Sequence, residues 1–164
     1  MAVIRRNIRF VSFTTLLLFA TSASADFSAG VAAYERGDYE TAFKEFKHSA
    51  DQGHAPAQHK LGWLYDQGHG AARDYARVAK WRRKAATQGH AYGQYNLAKA
   101  YETGQGAPQD YVQANMWMSL AATHESGEEK CMYLLARDAI AKNMSKRQIA
   151  EAERLAAVWT PQRK

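Results

Sequence analysis

QGHAPAQ at residues 52–58 returns almost unchanged as QGHAYGQ at residues 88–94, 36 positions later. A catalytic motif is ordinarily needed once, whereas a motif repeated at fixed spacing is architecture. Residues 55–90 align with 91–126 without a gap, and 13 of the 36 positions are identical. They include Gln58/Gln94, Leu61/Leu97, Tyr65/Tyr101, Gly68/Gly104, Asp74/Asp110, Trp81/Trp117 and Ala85/Ala121. A fixed period in the range of about 20–50 residues marks a solenoid, propeller or array.

Each unit reads as two helices. Ala57, Leu61, Leu64 and Tyr65 fall at i, i+4, i+7 and i+8, which is one helical face. Gly68 can end that helix in the left-handed conformation a helix stop commonly needs. Asp74 fits the N-cap of the next helix, where a carboxylate accepts from a free N–H and meets the positive end of the dipole. Val78, Trp81 and Ala85 mark the buried face of that second helix. The following unit repeats the plan with Leu97, Tyr101, Gly104, Asp110, Ala114, Trp117 and Ala121. Residues 27–54 form a shorter version, with Gly37 and Asp38 in place of the longer Gly-rich loop. Beyond residue 126 the repeat decays, but helix signals persist. Ser126 with Glu129 and Ser145 with Gln148 each fit a capping box. Ile149, Ala152, Ala156 and Trp159 mark one face of a last helix that stops before Pro161.

The expected fold is all-α, a right-handed α/α solenoid of eight helices in four pairs. The units are 27–54, 55–90, 91–126 and a C-terminal capping pair at 127–159. Four pairs suffice, because one unit cannot bury its own apolar face and about three are needed. In this scheme the QGH motif is the hinge between units: Gly53 and Gly89 stop a helix, and Ala57 or Gly93 lets the next one pack close.

From Ala57 the chain reads AQHKLGWLYDQGHGAARDYARVAKWRRKAATQGH, and from Gly93 it reads GQYNLAKAYETGQGAPQDYVQANMWMSLAATHES. These stretches resemble the Sel1-like repeat family, relatives of the tetratricopeptide repeats, whose own period is about 34. The resemblance implies a non-enzymatic adaptor that assembles other proteins and needs no cofactor. For exported bacterial members it implies a role in the cell envelope. A protein or peptide segment is then expected on the concave face of the solenoid. The alternative is a module associated with cell-wall glycan or exopolysaccharide.

The N-terminus reads as an export signal. Arg5, Arg6 and Arg9 precede an apolar stretch at residues 10–20, and Ala23-Ser24-Ala25 supplies a small-residue cleavage site. Domain boundaries of 1–25 for the signal and 26–164 for the repeat domain follow. The apolar run is shorter than the roughly 20 residues of a membrane span. No stable membrane insertion is therefore expected after cleavage, and the destination is the periplasm or the medium. Removing the three arginines lowers the formal charge from +6 to +3, which gives no reason to expect nucleic acid. Cys131 is the single cysteine, so no internal disulfide forms.

The polar residues fit structural roles better than catalytic or metal-binding ones. His54 and His90 occupy equivalent positions in adjacent units, and helices about 8–10 Å apart cannot bring both onto one ion held at about 2 Å. HESGE at residues 124–128 lacks the second His of a zinc motif. Asp38, Asp74 and Asp110 recur just before helices, as caps do. Cys131, beside Met132 and Leu134, reads as a buried inert thiol. The basic stretch RVAKWRRK places Lys80 and Arg83 away from the Trp81 face, as a solvated surface or as an alternative basic site for an anionic partner. Met116 replaces Lys80 in the next unit, and is either covered by the C-terminal pair or part of an exposed apolar patch. Trp63 lies off the buried face of its helix. It reads as an interface anchor, with His59, Tyr95, Lys99 and Glu102 completing the surface, or as packing between units.

Overall fold

A computed structural model describes residues 13–123 and 125–162. The signal arginines and the start of the apolar stretch lie outside the described residues, as does His124 of the HESGE stretch. Eight helices run in order among the described residues: α1 Phe13–Glu35, α2 Tyr39–Asp51, α3 Ala55–Gln67, α4 Tyr75–Thr87, α5 Ala91–Thr103, α6 Tyr111–Thr123, α7 Gly127–Ala141 and α8 Lys146–Val158. Helix α1 continues through Ala25 without a break.

The capping residues act as their spacing predicts. Asp38 accepts from Thr41 N–H at 3.1 Å, Asp74 from Arg77 N–H at 3.0 Å, and Asp110 from Val112 and Gln113 N–H at 2.9 and 3.0 Å. Gly68 and Gly104 close α3 and α5 in the left-handed region. A Cβ on Gly93 would sit 2.9 Å from the Ala85 Cβ, so α5 approaches α4 as closely as the hinge reading requires. The glutamines shared by the two repeats have a further role. Gln58 Nε2 donates to Ala50 O at 3.2 Å and Gln94 Nε2 to Ala86 O at 3.3 Å. Each adds a second donor to a carbonyl in the last turn of the preceding unit, which already accepts from the N–H of Gly53 or Gly89 at 3.0 Å. Gln88 Nε2 then donates to Gln58 Oε1 at 2.7 Å, tying the end of α4 back to α3.

Consecutive helices pack in sequence from α1 to α7, and α8 makes its main contact with α6. Two core clusters result. One joins Ala33, Phe46, Leu61, Leu64, Tyr65 and Trp81; the other joins Leu97, Met116, Trp117, Met118, Tyr133 and Ile140. Helix α6 is apolar all round because it has neighbours all round. Met116 is 5% exposed, so it forms no exposed apolar patch. The tail after α8 folds back: Trp159 meets Trp117 edge-on at 5.8 Å, and Gln162 N–H donates to Thr87 O at 2.8 Å.

Two expectations are corrected. Cys131 is exposed, not buried. Tyr133 and Ile140, seven residues apart, define the inward face of α7, and Cys131 lies about 200° from Tyr133 at 100° per residue. Ser126 caps α7 without a side-chain bond. Gly127, left-handed at φ 61°, follows it, so the regular helix entry a capping box needs is missing. At α8 the box is complete: Gln148 N–H donates to Ser145 Oγ, and Ser145 N–H to Gln148 Oε1. Ser145→Ala is therefore expected to cost about 1 kcal/mol. Ser126→Ala is expected to cost only a few tenths, and urea unfolding of the pair separates the two.

Candidate functional site

The first helices of successive units, α1, α3 and α5, share one face of the solenoid. Their side chains border a groove of about 450 Å³ lined by Phe27, Tyr34, Pro56, His59, Lys60, Trp63, His90 and Tyr92. Its walls are a run of ring contacts. Tyr34 meets Trp63 edge-on at 5.3 Å, His59 stacks on His90 at 5.4 Å, and Tyr92 stands edge-on to His59 at 4.7 Å. Lys60 Nζ lies 5.8 Å from the Tyr34 ring and is the charged group of the groove. Tyr92 is 45% exposed, the most open of the large side chains on this face.

The imidazoles are held neutral. Burial pushes the His59 pKa down to about 3, helped by His90, Lys60 and Arg82. Burial also lowers His90 and His54. His90 Nδ1 accepts from Gly93 N–H at 3.1 Å, which caps α5 and leaves its proton on Nε2. Among the described residues, the buried Nδ1 atoms of His54, His59 and His69 have no hydrogen-bond partner.

A pH dependence follows. The unfolded chain takes up a proton at His59 near its ordinary value of 6.5, while the folded chain resists it down to about 3. The unfolded state thus binds more protons between those values, and stability falls as pH drops from 6.5 towards 3. His59→Phe, which keeps a ring beside Tyr92, is expected to flatten the decline in Tm between pH 7 and 5. His90 and His54 leave a residual slope. A decline as steep as in the native chain would mean that His59 is not held neutral.

The sequence-derived candidates divide. His59 and Trp63 both line the groove. Trp63 also meets His69 at 5.6 Å and packs against the N-terminal core, so it faces the groove and joins two units. Tyr95 lies between Tyr92 and Tyr133, at 5.6 and 5.5 Å. Lys99 and Glu102 pair with each other at 2.6 Å, away from the groove lining. Lys80 and Arg83 are exposed on α4. Sequence reasoning missed Phe27, Tyr34, Lys60 and Tyr92. The signal for Tyr34 and Tyr92 is an aromatic off the buried face of a first helix, the same signal that singled out Trp63.

Among the described residues, no group of three or more His, Cys, Asp or Glu is placed to hold a metal ion. No helix among them is long and apolar enough to cross a membrane. Stacked helix pairs with an aromatic groove on one face define a repeat scaffold. The chain carries two Sel1 repeats: the family model for that repeat matches residues 55–90 and 91–126. Sel1 repeats are in general protein-interaction modules without catalytic machinery. A protective antigen present in uropathogenic Escherichia coli strains, described as displaying an SLR fold, is similar at 28% identity and a TM-score of 0.76. The match covers 96% of this chain and 34% of the antigen's, so the chain spans about a third of that structure. A Sel1 repeat protein from Oxalobacter formigenes is similar at 29% identity and a TM-score of 0.60, covering 74% of this chain and 98% of that one. No curated protein matches the chain.

Proposed function

We propose that this protein is an interaction module of the bacterial cell envelope that holds a segment of another protein along the face formed by α1, α3 and α5. The groove of neutral rings with one lysine is the observation that carries the reading. Rigid aromatic side chains supply contact area at low entropic cost, and they are enriched where binding energy concentrates. Burial keeps His59 uncharged, so a partner meets no buried cation there. The export signal read from residues 1–25 supports a location in the periplasm or outside the cell.

The test is photo-crosslinking in cells from position 92, with position 80 on α4 as the comparison. One recurrent envelope protein trapped from position 92, and absent from position 80, is the expected result. Trp63→Ala is then expected to abolish that crosslink. Glycan trapped from position 92 would replace the protein reading with the polymer one. A blank from position 92 together with a product from position 80 would move binding to the basic face.

A further inference from the structure

The solenoid contains an internal standard for its own packing. Positions 36 residues apart occupy the same place at successive seams between units. At the first seam, Phe46 and Leu64 are 1% and 0% exposed, and Phe43 packs on the same cluster, edge-on to Tyr65 at 5.2 Å. At the second seam these three positions are Ala79, Arg82 and Ala100. Two aromatic rings and an isobutyl group have become two methyl groups and a guanidinium, and the space they filled is open. It is a cavity of about 450 Å³, with Val78, Ala79, Leu97 and Ala100 among its walls and Asp66, Arg82 and Arg83 as its charged groups.

The loops record the same difference. A Cβ on Gly70 would fall 2.7 Å from the Phe43 Cβ, whereas on Gly106 it would meet only the Ala79 Cβ, at 3.5 Å. Tyr39 stacks on His69 at 4.0 Å. Gln105 replaces that histidine, and Tyr75, the counterpart of Tyr39, stands 63% exposed beside the opening.

The rim is cationic. Helix α4 carries Arg77, Lys80, Arg82, Arg83 and Lys84 and no acidic residue. Asp74 answers Arg77 at 3.1 Å and Asp66 answers Arg82 at 2.8 Å. Arg83 lies over the Tyr101 ring at 5.9 Å and has no ion pair among the described residues. Arg82 Nε is buried without a partner among them.

We propose that this second-seam cavity receives an aromatic side chain from an acidic peptide segment of a partner protein. The ring takes the place that Phe43 and Leu64 fill one seam earlier, and a flanking carboxylate meets Arg82 and Arg83. The site lies between α4, α5 and the Gly106 loop. It is independent of the groove on the first helices, and the failure of either reading leaves the other standing.

The test is an NMR titration of the full chain, labelled with nitrogen-15, against two peptides, acetyl-Glu-Phe-Glu-amide and acetyl-Lys-Phe-Lys-amide. The acidic peptide is expected to shift the amides of Val78, Ala100 and Gly106, and the basic one to bind at least ten-fold more weakly. Ala79→Phe and Ala100→Leu each restore the side chain of the first seam. Each is expected to raise Tm and to weaken the acidic peptide at least ten-fold. Should one of them fail to fold, the other decides. Unmoved amides at the seam, equal binding of the two peptides, or undiminished binding in a folded refilled variant would each overturn the proposal.

Discussion

Gly70→Ala is expected to be among the most damaging single-methyl changes in the chain, at roughly 2–5 kcal/mol. Two costs combine. Gly70 sits at φ 73°, in the left-handed region, and a Cβ there costs about 1–2 kcal/mol. The added carbon would also overlap the Tyr39 carbonyl oxygen and press on the Phe43 Cβ. Both belong to helix α2, so neither can move without opening the first seam, and overpacking of this kind costs about 1–3 kcal/mol. Gly106→Ala is the control. Its φ is 81°, so the backbone cost is the same, but its nearest neighbour is the Ala79 Cβ at 3.5 Å, an ordinary contact. It is expected to lose about 1–2 kcal/mol. Urea unfolding of the two variants measures the difference. Equal losses would mean that the Gly70 loop does not press on α2, and the first seam would no longer serve as the filled reference for the second.

The pair also shows what the sequence makes legible. The repeat, the helix boundaries, the aspartate caps and the alignment of Gly70 with Gly106 all come from local spacing, because caps and helix faces are set by residues a few positions apart. Trp63 and His59 were legible as groove residues for the same reason. The cavity at the second seam was not. Its cause is the joint replacement of Phe43, Phe46 and Leu64, which lie on two different helices. No single helix pattern registers that loss, since Ala79 and Ala100 are ordinary helix residues. Gln58 and Gln94 stood out as identities, yet their task, donating to a carbonyl at the end of the preceding unit, exists only once the units are stacked. Cys131 was misread because Met132 and Leu134 beside it suggest burial. Helix α8 makes its main contact with α6, which leaves the outer face of α7 open, and Met132 and Leu135 are themselves 43% and 66% exposed.

Met118→Lys is expected to unfold the C-terminal half of the solenoid, at a cost of about 3–5 kcal/mol for a buried charge without a partner. Met118 is 0% exposed, in a helix with neighbours on every side: α5, α7 and α8 all pack on α6. Marginal stability is of the order of 5–15 kcal/mol for a domain, so this one change consumes a large share of it. The prediction is sharpened by the equivalent positions. Residue 46 is Phe, residue 82 is Arg and residue 118 is Met, at the same register of three successive second helices. Arg82 is tolerated for two reasons: Asp66 lies 2.8 Å away, and both side chains keep contact with water at 21% and 29% exposure. A pair that is still partly solvated contributes little, so Arg82→Met is expected to change stability by less than about 1 kcal/mol. The two exchanges thus move the same chemistry in opposite directions at one register and should differ by several-fold in cost. Urea unfolding followed by near-ultraviolet circular dichroism tests both. If Met118→Lys proved as mild as Arg82→Met, α6 would have to be accessible to water. Helices α7 and α8 would then not form the closed C-terminal cap that covers Met116 and Met118.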